Sequence, residues 1–155
     1  MDSDHINRWL TLGANLGVLV GIILLVIELN QNRDLMRAQT RNDLSVEIIM
    51  LLTQTANNST LSDIMNRGDA GEELTATEYR QYLFNNLAFY RYYENVHYQY
   101  RQGLYDEGEF TRQKKAWKNY AAGAKTAVKI WCERRSHFSP EFAAEFNALL
   151  TNNQC

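Results

Sequence analysis

The residues whose spacing best suits chemistry are Glu94 and His97, in the segment "YENVHYQYRQG". On a helix, Glu-x-x-His places a carboxylate and an imidazole on one face, and di-iron helical bundles use this spacing for metal ligands. Such a site also needs a second Glu-x-x-His and two more carboxylates. His137 is the one other histidine after residue 30, and Glu133 precedes it at the wrong spacing. The sequence therefore predicts neither a metal site nor another cofactor.

A second interpretation of the same helix face is a polar network. Arg91, Glu94, His97 and Arg101 follow one another at three- and four-residue spacing, so their side chains share one stripe. This pattern favours a buried network that stabilises the fold, with a ligand pocket as the alternative. No Ser/His/Asp set, phosphate loop or paired-carboxylate motif occurs in the chain. We therefore predict a protein that is not an enzyme.

A basic face follows the aromatic segment. Between residues 111 and 135 there are eight basic residues and one acidic residue. Five lysines lie on one side of the predicted helix: Lys114, Lys115, Lys118, Lys125 and Lys129. Such lysines form either the solvated face of a bundle helix or a surface that contacts anionic lipid.

The charge balance and the two cysteines exclude further classes. From Asn30 onward the chain has 15 Lys and Arg residues, all but Arg8, and 15 Asp and Glu residues, all but Asp2, Asp4 and Glu28. A neutral domain is not typical of a nucleic-acid binder. Cys132 and Cys155 form no CxxC or Cys/His motif, and their spacing gives no reason to expect a disulfide.

The elements that position these residues begin with an apolar segment. No charged residue occurs from Leu10 to Ile27, and 18 helical residues rise about 27 Å, close to the thickness of a bilayer core. Trp9 and Glu28 mark the two ends. A signal peptide would need a small-x-small cleavage site, which "IELNQN" lacks. We predict a short tail over 1–8, a transmembrane helix over 9–29 and a helical domain over 30–155.

Basic residues near the span predict its orientation. Arg8 precedes the span, whereas Arg33, Arg37 and Arg41 follow it. Because positively charged flanks stay in the cytoplasm, we expect the N-terminus outside and the helical domain in the cytoplasm, where both cysteines would be reduced.

Three glycines lie on one face of the span. Gly13, Gly17 and Gly21 fall within about 80° of one another on a helix, and Leu24 and Glu28 continue the same stripe. Small residues at this spacing let membrane helices approach closely. The pattern predicts a seam between copies of the chain, or a face for another partner's helix.

The rest of the chain predicts an all-α antiparallel bundle. It has a single proline and lacks the alternating pattern of strands. Capping boxes are expected at Thr60–Asp63, for a helix that ends near Gly68, and at Thr75–Glu78, for the aromatic helix that ends at Gly103. A basic helix should run from Glu109 to Arg135 with a bend near Gly123, and Ser139-Pro140 should start the last helix.

Three segments of the chain carry a resemblance: "ELNQNRDLMRAQ", "YENVHYQYRQGLYDE" and "IWCERRSHFSPEFAAEF". With the glycine-bearing span, they resemble an uncharacterised family of small single-span bacterial membrane proteins, often from marine bacteria. The resemblance covers nearly the whole chain and implies the bacterial inner membrane without implying an activity. The family typically has a Trp-Trp pair where this chain has Trp131-Cys132.

Three hypotheses on function follow. The first is a membrane-anchored homo-oligomer whose helical domains present a surface to partners or lipid. The second is a ring of copies that conducts ions through an apolar constriction, with Glu28 as a collar. The third is an accessory subunit whose glycine face contacts another protein of a larger membrane complex.

Overall fold

The computed structural model describes residues 3–150 and residue 155. Every regular element in that part of the chain is helical, which confirms the predicted all-α class. The helices are α1 (Ser3–Ala56), α2 (Ser59–Ala70), α3 (Ala76–Arg101), α4 (Glu107–Gly123), α5 (Lys125–Arg134) and α6 (Pro140–Asn147), with a 3-10 turn at Arg135–His137. The chain divides into two compact units, Met1–Gln39 and Thr40–Cys155.

In the first unit, the described residues belong to α1. Its apolar side chains are exposed, with Trp9 at 71% and Leu24 at 60%. Within the described chain, α1 is the one helix that is long and apolar enough to cross a membrane, and none of its most apolar 18-residue stretch is buried. By length and composition, the predicted segment can therefore span a bilayer.

In the second unit, the last four turns of α1 present one face to a core. Leu44 is buried, and Ile48 and Leu51 pack partly buried against the same core. Val46 and Met50 remain exposed. This part of α1 is therefore amphipathic, because one side contributes to the core and the other side does not.

Helix α2 begins and ends at other residues than the sequence suggests. The Asn58 side chain accepts a hydrogen bond from the backbone N–H of Leu61, so the predicted capping box at Thr60 is wrong. The helix ends at Ala70, and Gly71 follows it with a φ of 81°, the left-handed conformation that glycine adopts at helix ends. The helix thus ends two residues beyond Gly68, near which its end was predicted.

Helix α3 begins at the predicted capping box. The Thr75 side chain accepts from the backbone N–H of Glu78, and the Glu78 carboxylate accepts from the backbone N–H of Thr75. Arg67 of α2 also donates to Glu78. The backbone hydrogen bond from Thr75, followed by the one from Arg67, lowers the pKa of Glu78 to about 2. One carboxylate thus caps α3 and links it to α2.

An aromatic core surrounds α3. The Tyr93 ring stacks on Trp117 of α4 with their centres 4.7 Å apart. Tyr90 lies 5.3 Å from Trp131 of α5 and 5.4 Å from Phe146 of α6. All five rings are buried, so the aromatic face of α3 organises the three helices that follow it.

The predicted basic helix is divided in two. Ala124 separates α4 from α5 with φ −109° and ψ 75°, and its N–H still donates to the carbonyl of Tyr120. Ala124 is itself buried at 1% exposure. The bend expected near Gly123 is therefore a complete break, located one residue later.

A disulfide joins Cys132 of α5 to Cys155, with the Cα atoms 5.4 Å apart. This bond was not expected, because the two residues are 23 positions apart and match no motif. The expectation of two unpaired thiols is therefore wrong for this structure.

The contact between Gly68 and Tyr82 generates a stability prediction. A Cβ atom at Gly68 would lie 2.4 Å from the Tyr82 ring, which is fully buried. We expect Gly68→Ala to lower the free energy of unfolding by about 1–3 kcal/mol, because the ring has no room to move away. Urea unfolding of the detergent-solubilised full chain, followed by near-UV circular dichroism, measures this change.

Gly123→Ala is the matched control, because a Cβ atom there meets nothing within 4 Å. It should be neutral or slightly stabilising, since alanine favours helix over glycine by about 0.5–1 kcal/mol. Equal stability of the two variants would contradict the close contact at Gly68.

Candidate functional site

The glycine stripe lies on α1 within the first unit. A methyl group added at Gly13, Gly17 or Gly21 would meet nothing within 4 Å. Leu24 and Glu28, which continue the stripe, are exposed too. The described residues of the chain therefore leave this face open along its whole length.

The predicted polar residues of α3 hold the segment that leads into α6. The Glu94 carboxylate accepts from Arg91 at 2.6 Å and from the backbone N–H of Ser139 at 2.7 Å. Arg91 also donates to the carbonyl of His137 at 3.0 Å, and its guanidinium lies 4.3 Å from the centre of the Phe138 ring. The pair therefore binds the chain's own backbone.

Glu94 also takes the place of a side-chain cap for α6. Ser139 is the N-cap residue of this helix, and its own side chain makes no capping hydrogen bond. Burial by itself would raise the pKa of Glu94, but the hydrogen bonds from Ser139 and Arg91 outweigh it and lower the pKa. A carboxylate near a helix N-terminus is favourable, because the helix dipole is positive there.

His97 and Arg101, the other two residues of the predicted polar stripe, do not contact the backbone before α6. His97 is 6% exposed and packs between the rings of Phe110 and Phe142, whose centres lie 6.0 and 5.8 Å away. Burial lowers the pKa of His97, which favours a neutral imidazole. Arg101 forms an ion pair with Glu141 of α6 at 3.3 Å. The stripe is thus divided between two ion pairs and a histidine within the aromatic core.

No group of three or more His, Cys, Asp or Glu side chains lies close enough together to hold a metal ion, within residues 3–150 and 155. Glu94 binds Arg91 and Ser139, and His97 packs against aromatic rings. The Glu-x-x-His spacing therefore serves packing and helix capping in this fold.

The predicted basic face is spread over α4 and α5. Four of its lysines are exposed: Lys115, Lys118, Lys125 and Lys129. Lys114 is partly buried, pairs with Glu145 at 3.1 Å and lies 5.0 Å from the centre of the Phe110 ring. Lys114 thus attaches α4 to α6, while the other four are accessible to solvent or lipid headgroups.

A polar cluster that was not predicted from the sequence links α2, α3 and α4. The Tyr82 hydroxyl donates to Asp69 at 2.7 Å, and the Tyr120 hydroxyl lies within hydrogen-bond distance of both Asn86, at 2.7 Å, and Asp69, at 3.5 Å. Burial raises the pKa of Asp69, although both hydroxyls oppose this shift. Burial also raises the pKa of each tyrosine, so both stay protonated donors.

This cluster satisfies its own polar groups, because the Asn86 amide also donates to the carbonyl of Tyr82 at 2.9 Å. The sequence offered one general signal, since buried tyrosine hydroxyls usually find a polar partner. It did not identify Asp69, which lies 51 residues before Tyr120. The cluster therefore holds three helices together.

The hydrogen bonds of Glu94 generate a pH-dependent prediction. Glu94→Gln should lower the free energy of unfolding by about 1–2 kcal/mol near neutral pH, because a charged acceptor forms stronger hydrogen bonds than an amide. Because folding lowers the pKa of Glu94, its carboxylate stabilises the native protein fully above the pKa that Glu94 has in the unfolded chain, about 4.3. This stabilisation is lost as the pH falls through the lower pKa of Glu94 in the folded protein. Urea unfolding of the full chain between pH 3 and 7 measures this difference.

The control is Glu133→Gln on the exposed surface of α5. Its stability should follow the native protein over the whole pH range. A constant gap between native protein and Glu94→Gln, independent of pH, would show that the Glu94 charge contributes nothing.

No family model matches this chain, and no curated protein or solved structure matches it either. The resemblance to small single-span bacterial proteins therefore stays a prediction, and the function has to be inferred from the chain's own residues.

Proposed function

We propose that this chain is a single-span protein of the bacterial inner membrane that associates with copies of itself and presents an antiparallel helical bundle to the cytoplasm. There it acts as a non-enzymatic interaction module. The observation that carries this proposal is the uncovered apolar part of α1, where none of the most apolar 18-residue stretch is buried. The core helix of a soluble protein would bury most of such a stretch.

The energetic reason is the hydrophobic effect. Apolar surface left in water is unfavourable by about 25 cal/mol per Å². Leu16 and Leu24 are each 60% exposed, and their apolar neighbours along the span are similarly open. A bilayer removes this surface from water, and the rise of about 27 Å for 18 residues fits its apolar thickness.

The glycine stripe supports association of copies. A Cβ atom at Gly13, Gly17 or Gly21 would meet nothing within 4 Å, so this face is open to a second helix. A small-residue face in a membrane helix lets a second backbone approach closely. Residues 16–27 have no polar side chain, which favours a packed seam over a water-filled pore.

The proposed orientation follows from the arginines on either side of the span. The Cys132–Cys155 disulfide favours the opposite orientation. Disulfides persist in oxidising compartments, outside the cytoplasm. Charged flanks, however, act while the span inserts, and the domain folds in whichever compartment it has reached. We therefore expect the domain in the cytoplasm, with the exposed lysines able to contact anionic lipid.

The test of association is the native mass of the detergent-solubilised full chain, measured by light scattering after size-exclusion chromatography. We expect a discrete oligomer for the native protein and a smaller species for Gly17→Ile, because the isoleucine side chain separates the backbones. Val26→Ile adds a methyl group on the opposite face and should keep the native mass. An unchanged mass for Gly17→Ile would overturn the seam, and a native monomer would favour the accessory-subunit hypothesis instead.

The test of orientation uses single-cysteine reporters in a Cys132→Ser, Cys155→Ser background. A membrane-impermeant maleimide should label Ser3→Cys in intact spheroplasts and Lys118→Cys only after lysis. The reverse labelling would place the domain outside.

A further inference from the structure

The outer face of α1 in the second unit is formed by Asn42, Val46, Ile49 and Thr53, all of them exposed. On a helix these four positions fall within about 60° of one another and lie nearly opposite the buried Leu44. Val46 and Ile49 are 54% and 58% exposed. Adjacent apolar side chains left open to water are unfavourable, so this face is suited to being covered by another molecule.

The charged residues in this part of α1 lie away from the outer face. Arg41 pairs with Glu109 of α4 at 3.1 Å, and the Glu47 carboxylate accepts from the Asn95 amide of α3 at 3.1 Å. Asp43 is about 60° around the helix from the nearest position of the face. An uncharged stripe on a helix whose neighbouring positions carry charge is typical of a seam between helices.

The sequence relates this face to the glycine stripe. Steps of seven residues lead from Gly21 to Glu28, Leu35, Asn42 and Ile49. A seven-residue repeat keeps two helices in contact along a left-handed supercoil, and an asparagine at one such position fixes the register of a parallel pair. Copies of a single-span protein insert in the same direction, so equal residues of two copies come side by side. A second copy is therefore the partner that this face fits.

We propose that the outer face of α1 packs in parallel against the same face of a second copy, with Asn42 and Ile49 opposite their counterparts. The inference rests on the proposed association of copies and extends it, because the glycine stripe by itself would not bring the helical domains together. Leu44 and the core lie on the other side of α1, so a second helix can approach this face. The pair removes Val46 and Ile49 from water in both copies.

Disulfide cross-linking in isolated membrane vesicles tests the proposal. In the Cys132→Ser, Cys155→Ser background, Ile49→Cys places a thiol on the outer face. Gln54→Cys places one at an exposed position about 140° around the helix. After oxidation with copper phenanthroline, the dimer of Ile49→Cys should be at least about fivefold more abundant than that of Gln54→Cys, because a disulfide joins only residues whose Cα atoms are within about 7 Å. Non-reducing electrophoresis measures both dimers.

A second pair of variants keeps both native cysteines. Ile49→Glu places like charges opposite each other and should raise the dissociation constant of the detergent-solubilised chain about tenfold. Gln54→Glu adds the same charge at the control position and should associate as the native chain does. Light scattering over a dilution series measures both. If the cysteine-free background fails to fold by circular dichroism, this pair still decides.

Equal cross-linking of Ile49→Cys and Gln54→Cys would overturn the inference, and so would unchanged association of Ile49→Glu. An oligomer that Gly17→Ile breaks and Ile49→Glu leaves intact would refute this inference alone and keep the proposed function. A native monomer would overturn both. A cross-link from Ile49→Cys to a different protein, in place of the dimer, would assign the face to that protein instead.

Discussion

The second unit depends on the packing of aromatic rings around Trp131. This indole is fully buried, and its ring centre lies 4.5 to 5.5 Å from those of four other rings: Tyr90, Phe138, Phe142 and Phe146. Its Nε1 donates to the Asn147 side chain at 2.8 Å, so the polar atom is satisfied. Aromatic pairs contribute about 0.5–1.5 kcal/mol each beyond the burial of their surface. Trp131 thereby fixes α5, the 3-10 turn and α6 against α3.

The charged residues follow from this packing. Because the turn before α6 has to lie against the aromatic core, its backbone groups need partners at the edge of that core. Arg91 and Glu94 supply them, since they bind the carbonyl of His137 and the N–H of Ser139. Residues whose types suggest an active site thus serve to hold a backbone turn. Cys132, next to Trp131 in the sequence, packs partly buried against the same core.

Local signals were readable from the sequence, and long-range ones were not. The capping box at Thr75 was predicted because its two residues are three positions apart. The helix class followed from composition and periodicity in the same way. Asn58 was missed as a cap because Thr60 offered a competing local pattern. The Asp69 cluster and the bond between Cys132 and Cys155 join residues that only the folded chain brings together.

The three tryptophans have contrasting environments. Trp117 and Trp131 are fully buried in the aromatic core of the second unit, whereas Trp9, at the start of the apolar segment, is 71% exposed. The intrinsic fluorescence of the chain therefore has two separable origins. A quencher dissolved in the lipid or the surrounding water reaches Trp9 and lowers its emission. The two buried indoles are shielded from the quencher and keep their emission. One emission spectrum consequently reports the environment of the span and the integrity of the domain at the same time.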